Sequence, residues 1–308
     1  MTRRVAILGH WESAGGDPIC PTRALARIAQ GFTEARPHWA ADIIPFGVGS
    51  AFVEAMNQAP GHSWAPISVE RSEDSTARAG PNASGVGGVV QWIFSDGLTT
   101  VENIAGILDE LQANHVGNIL ALRGDLKEPS ELGEFRHASD LIAFIRKRRG
   151  FRIFAACYPE KHLEAPSLEE DLCRLKEKSD LGVDALISQL FFDNDVFCRF
   201  RDRARALGVT VPIIAGIMPI TSAAQIDKMV TMCGATVPDR VRRFVDAYGH
   251  NSRAIKEAGI AYATEQIVDL LARGVDGIHL YTMNQADVIR HIDENIRGIL
   301  YSMRVKKD

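Results

Sequence analysis

The chain lacks the features that would assign it to a membrane, nucleic-acid-binding or disordered class. No apolar run approaches the roughly 20 residues that span a bilayer, and the apolar run near residue 5 is too short for a signal peptide. The net charge is −4 and no long Lys/Arg run occurs, which argues against a nucleic-acid or membrane-surface partner. Hydrophobic residues make up 46% and charged residues 24%, an ordinary globular composition. We therefore expect a soluble, cytoplasmic protein.

Cysteine is scarce and dispersed. The five cysteines stand singly, and no C-x-x-C pair occurs. An odd, scattered set is typical of a reducing compartment and argues against structural zinc, so no metal is expected. Cys157 and Cys198 lie in apolar contexts, which favours small core residues at both positions.

Short apolar runs alternate with longer amphipathic segments along the whole chain. The predicted strands are 5–9, 42–46, 89–94, 118–122, 153–158, 185–192, 212–218 and 277–283. Capping-box spacing, in which side chains satisfy unpaired backbone donors, predicts helix starts at Thr99–Glu102, Ser167–Glu170 and Ser222–Gln225. Helix ends are predicted at Gly182, Gly208 and Gly274. The seventh unit, from Thr221 to Gly274, is oversized and contains at least two predicted helices.

Eight such units indicate an α/β protein with a (β/α)₈ TIM barrel rather than an open doubly wound sheet. We expect one domain over residues 1–308, with regular barrel units over 91–300 and divergent first units over 1–90. Residues 59–88 are rich in Gly, Ser, Pro and charge, and they fit a lid, an insert or a missed strand. Chemistry in such barrels takes place at the carboxyl ends of the strands, where polar residues follow several apolar runs.

The first polar segment at a strand end is Arg123-Gly-Asp125. Gly124 would let a flat ligand approach the backbone, Arg123 could meet a phosphate or a ring edge, and Asp125 supplies a negative charge. A charged turn that caps the next helix is the commoner use of such a tripeptide.

The next strand end offers Tyr158 and His162, and the helix after it carries Asp171 and Lys178 seven residues apart on one face. An acid for a ribose and a base for a pyrophosphate is one use of that pair, and a solvated face is the commoner one. An isolated histidine is likewise more often structural than functional.

Gln189 lies in an otherwise apolar predicted strand, where an amide without partners would cost about 1–3 kcal/mol. Its amide either bonds within the barrel or contacts a ligand. Further along, Gly216 permits close approach and Pro219 fixes the loop that follows.

Five segments at successive strand ends, ALRGD, AACYPEKH, ISQLFFD, IIAGIMP and HLYTMN, together closely resemble the methylenetetrahydrofolate reductase family, over about Thr99 to Arg297. The resemblance implies an FAD-containing barrel with a ping-pong reaction. NADH or NADPH would reduce the flavin, which would then reduce methylenetetrahydrofolate to 5-methyltetrahydrofolate. We expect a folate substrate, a homo-oligomer, and neither a nucleic-acid nor a membrane partner.

Carried over position by position, the resemblance implies FAD contacts for Arg123, Gly124, Asp125, Ala138, Tyr158, His162, Ala165, Asp171 and Lys178. It implies folate contacts for Asp125 and Gln189, and Gln189 would also face nicotinamide. Asp125 would in addition tune the flavin electrostatically, and Lys178 would offset pyrophosphate charge.

The first 90 or so residues depart from the family's pattern. The family's first strand reads like S-F-E-F-F-P-P, and its Glu is thought to act as the acid that opens the bridging folate ring. Glu12 lies near the corresponding strand end and is the candidate general acid. The family's histidine is absent near residues 93–96, and Gln285 replaces an arginine expected to hold folate, so a cationic contact is lost.

Residues 4–56 weakly resemble the opening of glycerate kinases. The segment is therefore either a foreign N-terminus or simply two divergent β/α units of the barrel. Two alternatives to an active reductase stay open. One is a catalytically impaired barrel that keeps FAD or folate affinity, and the more remote one is a glycerate-kinase-related protein.

Overall fold

Eight parallel strands follow one another in chain order in the sheet of the computed structural model. The structure describes residues 6–9, 42–47, 90–94, 100–113, 117–123, 134–281 and 285–305. The strands are β1 (Ala6–Gly9), β2 (Asp42–Gly47), β3 (Val90–Phe94), β4 (Asn118–Leu122), β5 (Arg152–Cys157), β6 (Ala185–Ser188), β7 (Ile213–Ile217) and β8 (Gly277–Leu280). Each pairs in parallel with the next, and β1 also lies beside β8. The predicted TIM barrel is confirmed.

The described part of the chain contains eight helices. They are α1 (Val101–Ala113), α2 (Ala138–Arg146), α3 (Leu168–Asp180), α4 (Asn194–Ala206), α5 (Ala223–Cys233), α6 (Asp239–Tyr248), α7 (Ser252–Ala272) and α8 (Ala286–Val305). The oversized seventh unit holds three of them, α5 to α7. None of the described helices is long and apolar enough to cross a membrane.

Local capping chemistry sets where these helices begin. The hydroxyls of Ser167 and Ser222 each accept a hydrogen bond from the backbone N–H three residues on, at 3.1 and 3.3 Å, as predicted. The predicted cap at Thr99 is one residue early, because α1 begins at Val101 and it is Thr100 Oγ1 that accepts from Asn103 N, at 3.3 Å. Two adjacent threonines offer the same hydroxyl, so spacing alone does not distinguish them.

Strands β4 to β8 are largely buried, with some half-buried positions in β4 and β5, as expected for parallel strands between a barrel interior and a helix layer. In β4, Leu120 and Leu122 belong to the small apolar cluster that also contains Ile187 of β6. Ile119 and Ala121 alternate with them and pack in the large cluster shared with the helices. The two-residue period of a strand thus separates the barrel interior from the outer core.

Two predicted strands end three or four residues earlier than expected. β6 ends at Ser188 and β8 at Leu280, so Gln189 lies just beyond its strand rather than within it. The apolar run continues because residues 190–192 are buried by packing outside the strand ladder. An apolar run in the sequence indicates buried residues, and here the buried residues continue beyond the end of the paired strand.

Left-handed glycines end three helices before the next strand, as predicted. Gly182, Gly208 and Gly274 have φ angles of +90°, +86° and +75°, a conformation that side chains disfavour. Gly182 and Gly274 each open a Gly-Val-Asp sequence whose valine is buried.

The aspartates of the two Gly-Val-Asp sequences connect strands to outer helices at the amino end of the barrel. Asp184 accepts hydrogen bonds from Ile153 N at 2.8 Å and from the Arg146 guanidinium at 3.4 Å. Asp276 repeats this arrangement, accepting from the first backbone N–H of β7 at 2.9 Å and from Arg205 at 2.7 Å. Each aspartate therefore joins a neighbouring strand to an arginine on an outer helix.

Candidate functional site

The loop Tyr158–Ala165, which leaves the carboxyl end of β5, is organised by a lysine in an uncommon backbone conformation. Lys161 has a φ of +95°, unusual for a residue with a side chain. Its ammonium donates to the carbonyl of Ala165 at 2.8 Å and to those of His162 and Leu163 at 3.4 Å each. These contacts fold the loop back on itself.

His162 is held by contacts at its ring and its backbone. Its ring packs edge-on against Tyr158, with centroids 4.6 Å apart at 87°. Its Nδ1 accepts from Glu164 N at 3.2 Å, so the neutral ring carries its proton at Nε2. Its own N–H donates to Asp171 Oδ2 at 2.8 Å. Burial lowers the pKa of His162, only partly offset by Glu164 and Asp171, and the ring is therefore neutral at pH 7.

Lys178 approaches the same loop from α3. Its Nζ donates to Ala156 O at 2.7 Å and lies 6.0 Å from the centroid of the Tyr158 ring. The residue keeps some exposed surface, but its ammonium lies deep enough that desolvation lowers its pKa. Asp171 therefore contacts the loop and Lys178 contacts β5 itself, so both side chains of this pair point toward the carboxyl end of β5.

Arg123, the residue directly after β4, forms a bidentate ion pair with Glu164. Both guanidinium Nη atoms lie 2.6 Å from a carboxylate oxygen. The side chain of Arg123 is 17% exposed and that of Glu164 is 58% exposed. Hydrogen bonding by Arg123 lowers the pKa of Glu164, so the carboxylate is ionised at neutral pH.

Gln189 lies beside the carboxyl end of β5. Its N–H donates to Cys157 O at 2.7 Å, and its side-chain Oε1 accepts from Leu190 N at 2.9 Å. The oxygen of the amide is thereby engaged locally. The NH₂ group is the part that Gln189 can offer to a ligand, so it would meet a hydrogen-bond acceptor.

Close packing at Gly216 holds the strand end that precedes Gln189. Gly216 N donates to Ser188 Oγ at 2.8 Å, and Tyr281 Oη donates to Ser188 O at 2.9 Å. A Cβ at Gly216 would lie 2.3 Å from Ser188 O and 2.8 Å from a ring carbon of Tyr281. Burial raises the pKa of Tyr281, so its hydroxyl stays protonated as the donor.

Gln285 belongs to a polar chain at the ends of β7 and β8. Its Nε2 donates to Thr221 Oγ1 at 2.8 Å. The N–H and hydroxyl of Thr221 donate to Gln225 Oε1 at 2.9 and 3.1 Å. Gln225 had a predicted role only in capping α5, and sequence reasoning missed this chain because it joins residues 60 positions apart.

The structure brings together most of the residues expected around FAD. Those that share contacts at the ends of β4 and β5 are Arg123, Tyr158, His162, Ala165, Asp171 and Lys178. Ala138 is the first residue of α2, directly after His137. Glu12, Gly124 and Asp125 lie outside the described residues. Sequence reasoning missed Glu164 and Lys161, although both lie in the AACYPEKHLEA run.

These features define a TIM-barrel protein with cationic, acidic and aromatic side chains gathered at the carboxyl ends of neighbouring strands, the face that such barrels use for ligands. Within the described residues, no group of three or more His, Cys, Asp or Glu side chains could hold a metal ion.

Comparison with known proteins assigns the family. The family model described as methylenetetrahydrofolate reductase matches residues 97–297. The chain belongs to the methylenetetrahydrofolate reductase family.

Individual relatives agree with this assignment. A methylenetetrahydrofolate reductase (NADH) 1 of Arabidopsis thaliana is 35% identical over 219 residues, which cover 66% of this chain and 36% of that protein. A 5,10-methylenetetrahydrofolate reductase of Pectobacterium carotovorum is 36% identical over 61% of this chain and 62% of its own length. Its counterpart in Escherichia coli K12 is 35% identical over 61% and 64%. The matched region thus spans less than two thirds of each of these relatives.

A solved structure supports the fold. It is described as an uncharacterized protein from Clostridium thermocellum that binds two copies of 5-methyl-5,6,7,8-tetrahydrofolic acid. The TM-score is 0.58 at 12% sequence identity, with 97% of this chain and 96% of that chain covered.

Proposed function

We propose that the protein reduces 5,10-methylenetetrahydrofolate to 5-methyltetrahydrofolate with NADH or NADPH, using FAD bound at the ends of β4 and β5. Family membership and the names of the relatives support the reaction. The tetrahydrofolate bound by the Clostridium thermocellum protein supports a folate ligand in a barrel of this shape. We further propose that it works in the cytoplasm as a homo-oligomer.

The observation that carries the FAD proposal is the donor set at this site. Arg123 and Lys178 are two cations suited to a pyrophosphate, and Asp171 is an acceptor suited to ribose hydroxyls. The His162 ring presents an N–H at Nε2, and Tyr158 adds an aromatic surface. The site therefore offers partners for the phosphates, the sugar hydroxyls and the rings of a dinucleotide, so these residues fit FAD.

Bound flavin would supply the hydride chemistry, and the protein would supply binding, orientation and exclusion of water. Gln189 would use its NH₂ group to orient nicotinamide or folate through an acceptor atom. Asp125 would hold the folate, and Glu12 would act as the general acid that opens the bridging ring. A ping-pong order would let nicotinamide and folate use the same space in turn.

A visible absorption spectrum of the full-length protein, before and after FAD addition, tests the cofactor. Anaerobic NADH or NADPH should bleach the flavin band, and methylenetetrahydrofolate added next should restore it. A protein that neither contains nor binds FAD would refute the proposal. Size-exclusion chromatography with light scattering tests the homo-oligomer.

Gln285 favours a second candidate, a barrel that binds FAD or folate without turnover. Its amide is hydrogen-bonded to Thr221 at a position where the family resemblance leads us to expect a folate-binding arginine. In the same experiment such a protein would bind FAD but would not return the flavin to its oxidised form with methylenetetrahydrofolate.

A further inference from the structure

Glu164 contacts two of the residues in the proposed FAD site through different parts of itself. Its carboxylate receives both Nη groups of Arg123 at 2.6 Å. Its backbone N–H donates to Nδ1 of His162 at 3.2 Å. Neither the sequence patterns nor the family resemblance assigned this residue a role.

We propose that Glu164 is a positioning residue that holds Arg123 in the orientation used for FAD. This inference rests on the proposed function, because it takes FAD as the ligand of Arg123. Glu164 itself would not need to touch the cofactor.

The geometry of the ion pair supports positioning. A guanidinium has five N–H donors in one plane, and a bidentate carboxylate fixes that plane while engaging two of them. A guanidinium whose plane is fixed can meet a phosphate only in a defined orientation. A guanidinium already held in place loses less rotamer freedom when the ligand binds, which improves affinity.

The difference in exposure between the partners argues against the opposite role, in which Glu164 competes with FAD for Arg123. The Glu164 side chain is 58% exposed, so water screens its charge from an anionic ligand. Arg123 is only 17% exposed and gains an ordered partner in the absence of ligand. Positioning therefore outweighs repulsion.

The test is the dissociation constant of FAD for the full-length protein, measured by flavin fluorescence for wild type, Glu164→Gln and Glu164→Asp. Both variants keep the backbone contact with His162 and lose the bidentate ion pair. Glu164→Gln removes the negative charge, and Glu164→Asp shortens the side chain. We expect each to bind FAD roughly 10-fold more weakly. Glu265→Gln is the matched control, because Glu265 forms another bidentate pair, with Arg240, outside the site, and its affinity should be unchanged.

A double-mutant cycle shows whether Glu164 acts through Arg123. In an Arg123→Ala background, Glu164→Gln should have no further effect on FAD affinity. Tighter FAD binding by Glu164→Gln, wild-type affinity in both Glu164 variants, or an undiminished loss without Arg123 would overturn the inference. If wild type binds no FAD, the proposed function fails instead, so the two failures are distinguishable.

The ligand-free protein gives an independent readout. The charged groups that act on His162 are Glu164, Asp171, Arg123 and Lys178. Glu164→Gln removes the carboxylate that raises the pKa of His162, so the imidazole NMR titration should shift to lower pH. An unshifted titration would mean that Glu164 does not hold its charge near this site.

Discussion

Gly216→Ala should destabilise the protein strongly, because the atom nearest to the added methyl group is a backbone carbonyl oxygen rather than the end of a movable side chain. Its Cβ would lie 2.3 Å from Ser188 O, 2.8 Å from Tyr281 Cε2 and 3.3 Å from the Ser188 carbonyl carbon. These neighbours cannot turn away, since Ser188 is held both by Gly216 N and by the hydroxyl of Tyr281.

The expected magnitude follows from two effects. Forcing a methyl group into a packed core costs about 1–3 kcal/mol. Separating β6 from β7 also weakens two hydrogen bonds at Ser188, each contributing about 1 kcal/mol. We therefore expect the free energy of unfolding to fall by about 3 kcal/mol or more, and the melting temperature of this 308-residue chain to fall by about 5 °C or more.

Urea unfolding followed by circular dichroism measures this change. Gly298→Ala is the matched control, because it makes the same substitution at an exposed position of α8, where a new Cβ meets nothing within 4 Å. Removing a helical glycine there should stabilise the protein by about 0.5–1 kcal/mol. A Gly216→Ala protein within about 0.5 kcal/mol of wild type would refute the reasoning, since surface substitutions typically produce changes of that size.

Three further predictions concern the site. Lys178→Met should weaken FAD binding about 10-fold or more, because a cation is lost. The melting temperature of the ligand-free protein should stay near wild type, because the lost hydrogen bond is offset by the relieved desolvation of the ammonium. Unchanged FAD affinity in a fluorescence titration would contradict this prediction. Burial raises the pKa of the Cys157 thiol to about 12, so a thiol reagent added to the native protein should modify exposed Cys173 and spare Cys157. Mass spectrometry of the modified protein measures this, and modification of Cys157 before Cys173 would contradict it. His162 should titrate below its ordinary pKa of 6.5 in NMR. The free energy of unfolding should decrease as pH falls from about 6.5 through that lower pKa, because the unfolded chain takes up the proton first. An NMR titration midpoint at or above 6.5 would show that burial does not dominate the pKa of His162.

The fold could be predicted because its signals are local and repeated. Each described strand is a short apolar run, and the left-handed glycines end helices where the pattern changes. The strand ends were predicted less well. Gln189 was assigned to β6 since residues 190–192 are as apolar as a strand, yet those side chains are buried by tertiary packing that no local pattern records.

The site could be predicted as far as strand order and family likeness reach. The family resemblance implies FAD contacts for Tyr158, His162 and Lys178, and these three side chains lie close together in the structure. The partners that orient the site were not predicted. Glu164 depends on the fold of one loop, and the hydrogen bond from Gln285 to Thr221 joins distant units, so both require side-chain positions.

The repeated Gly-Val-Asp turns have a consequence for how this molecule tolerates change. Asp184 and Asp276 tie strands to outer helices at the end of the barrel remote from the proposed cofactor. These stabilising contacts and the proposed cofactor site therefore lie at opposite ends of the barrel. Substitutions that stabilise the amino end should leave the residues that set ligand selectivity at the carboxyl end free to change.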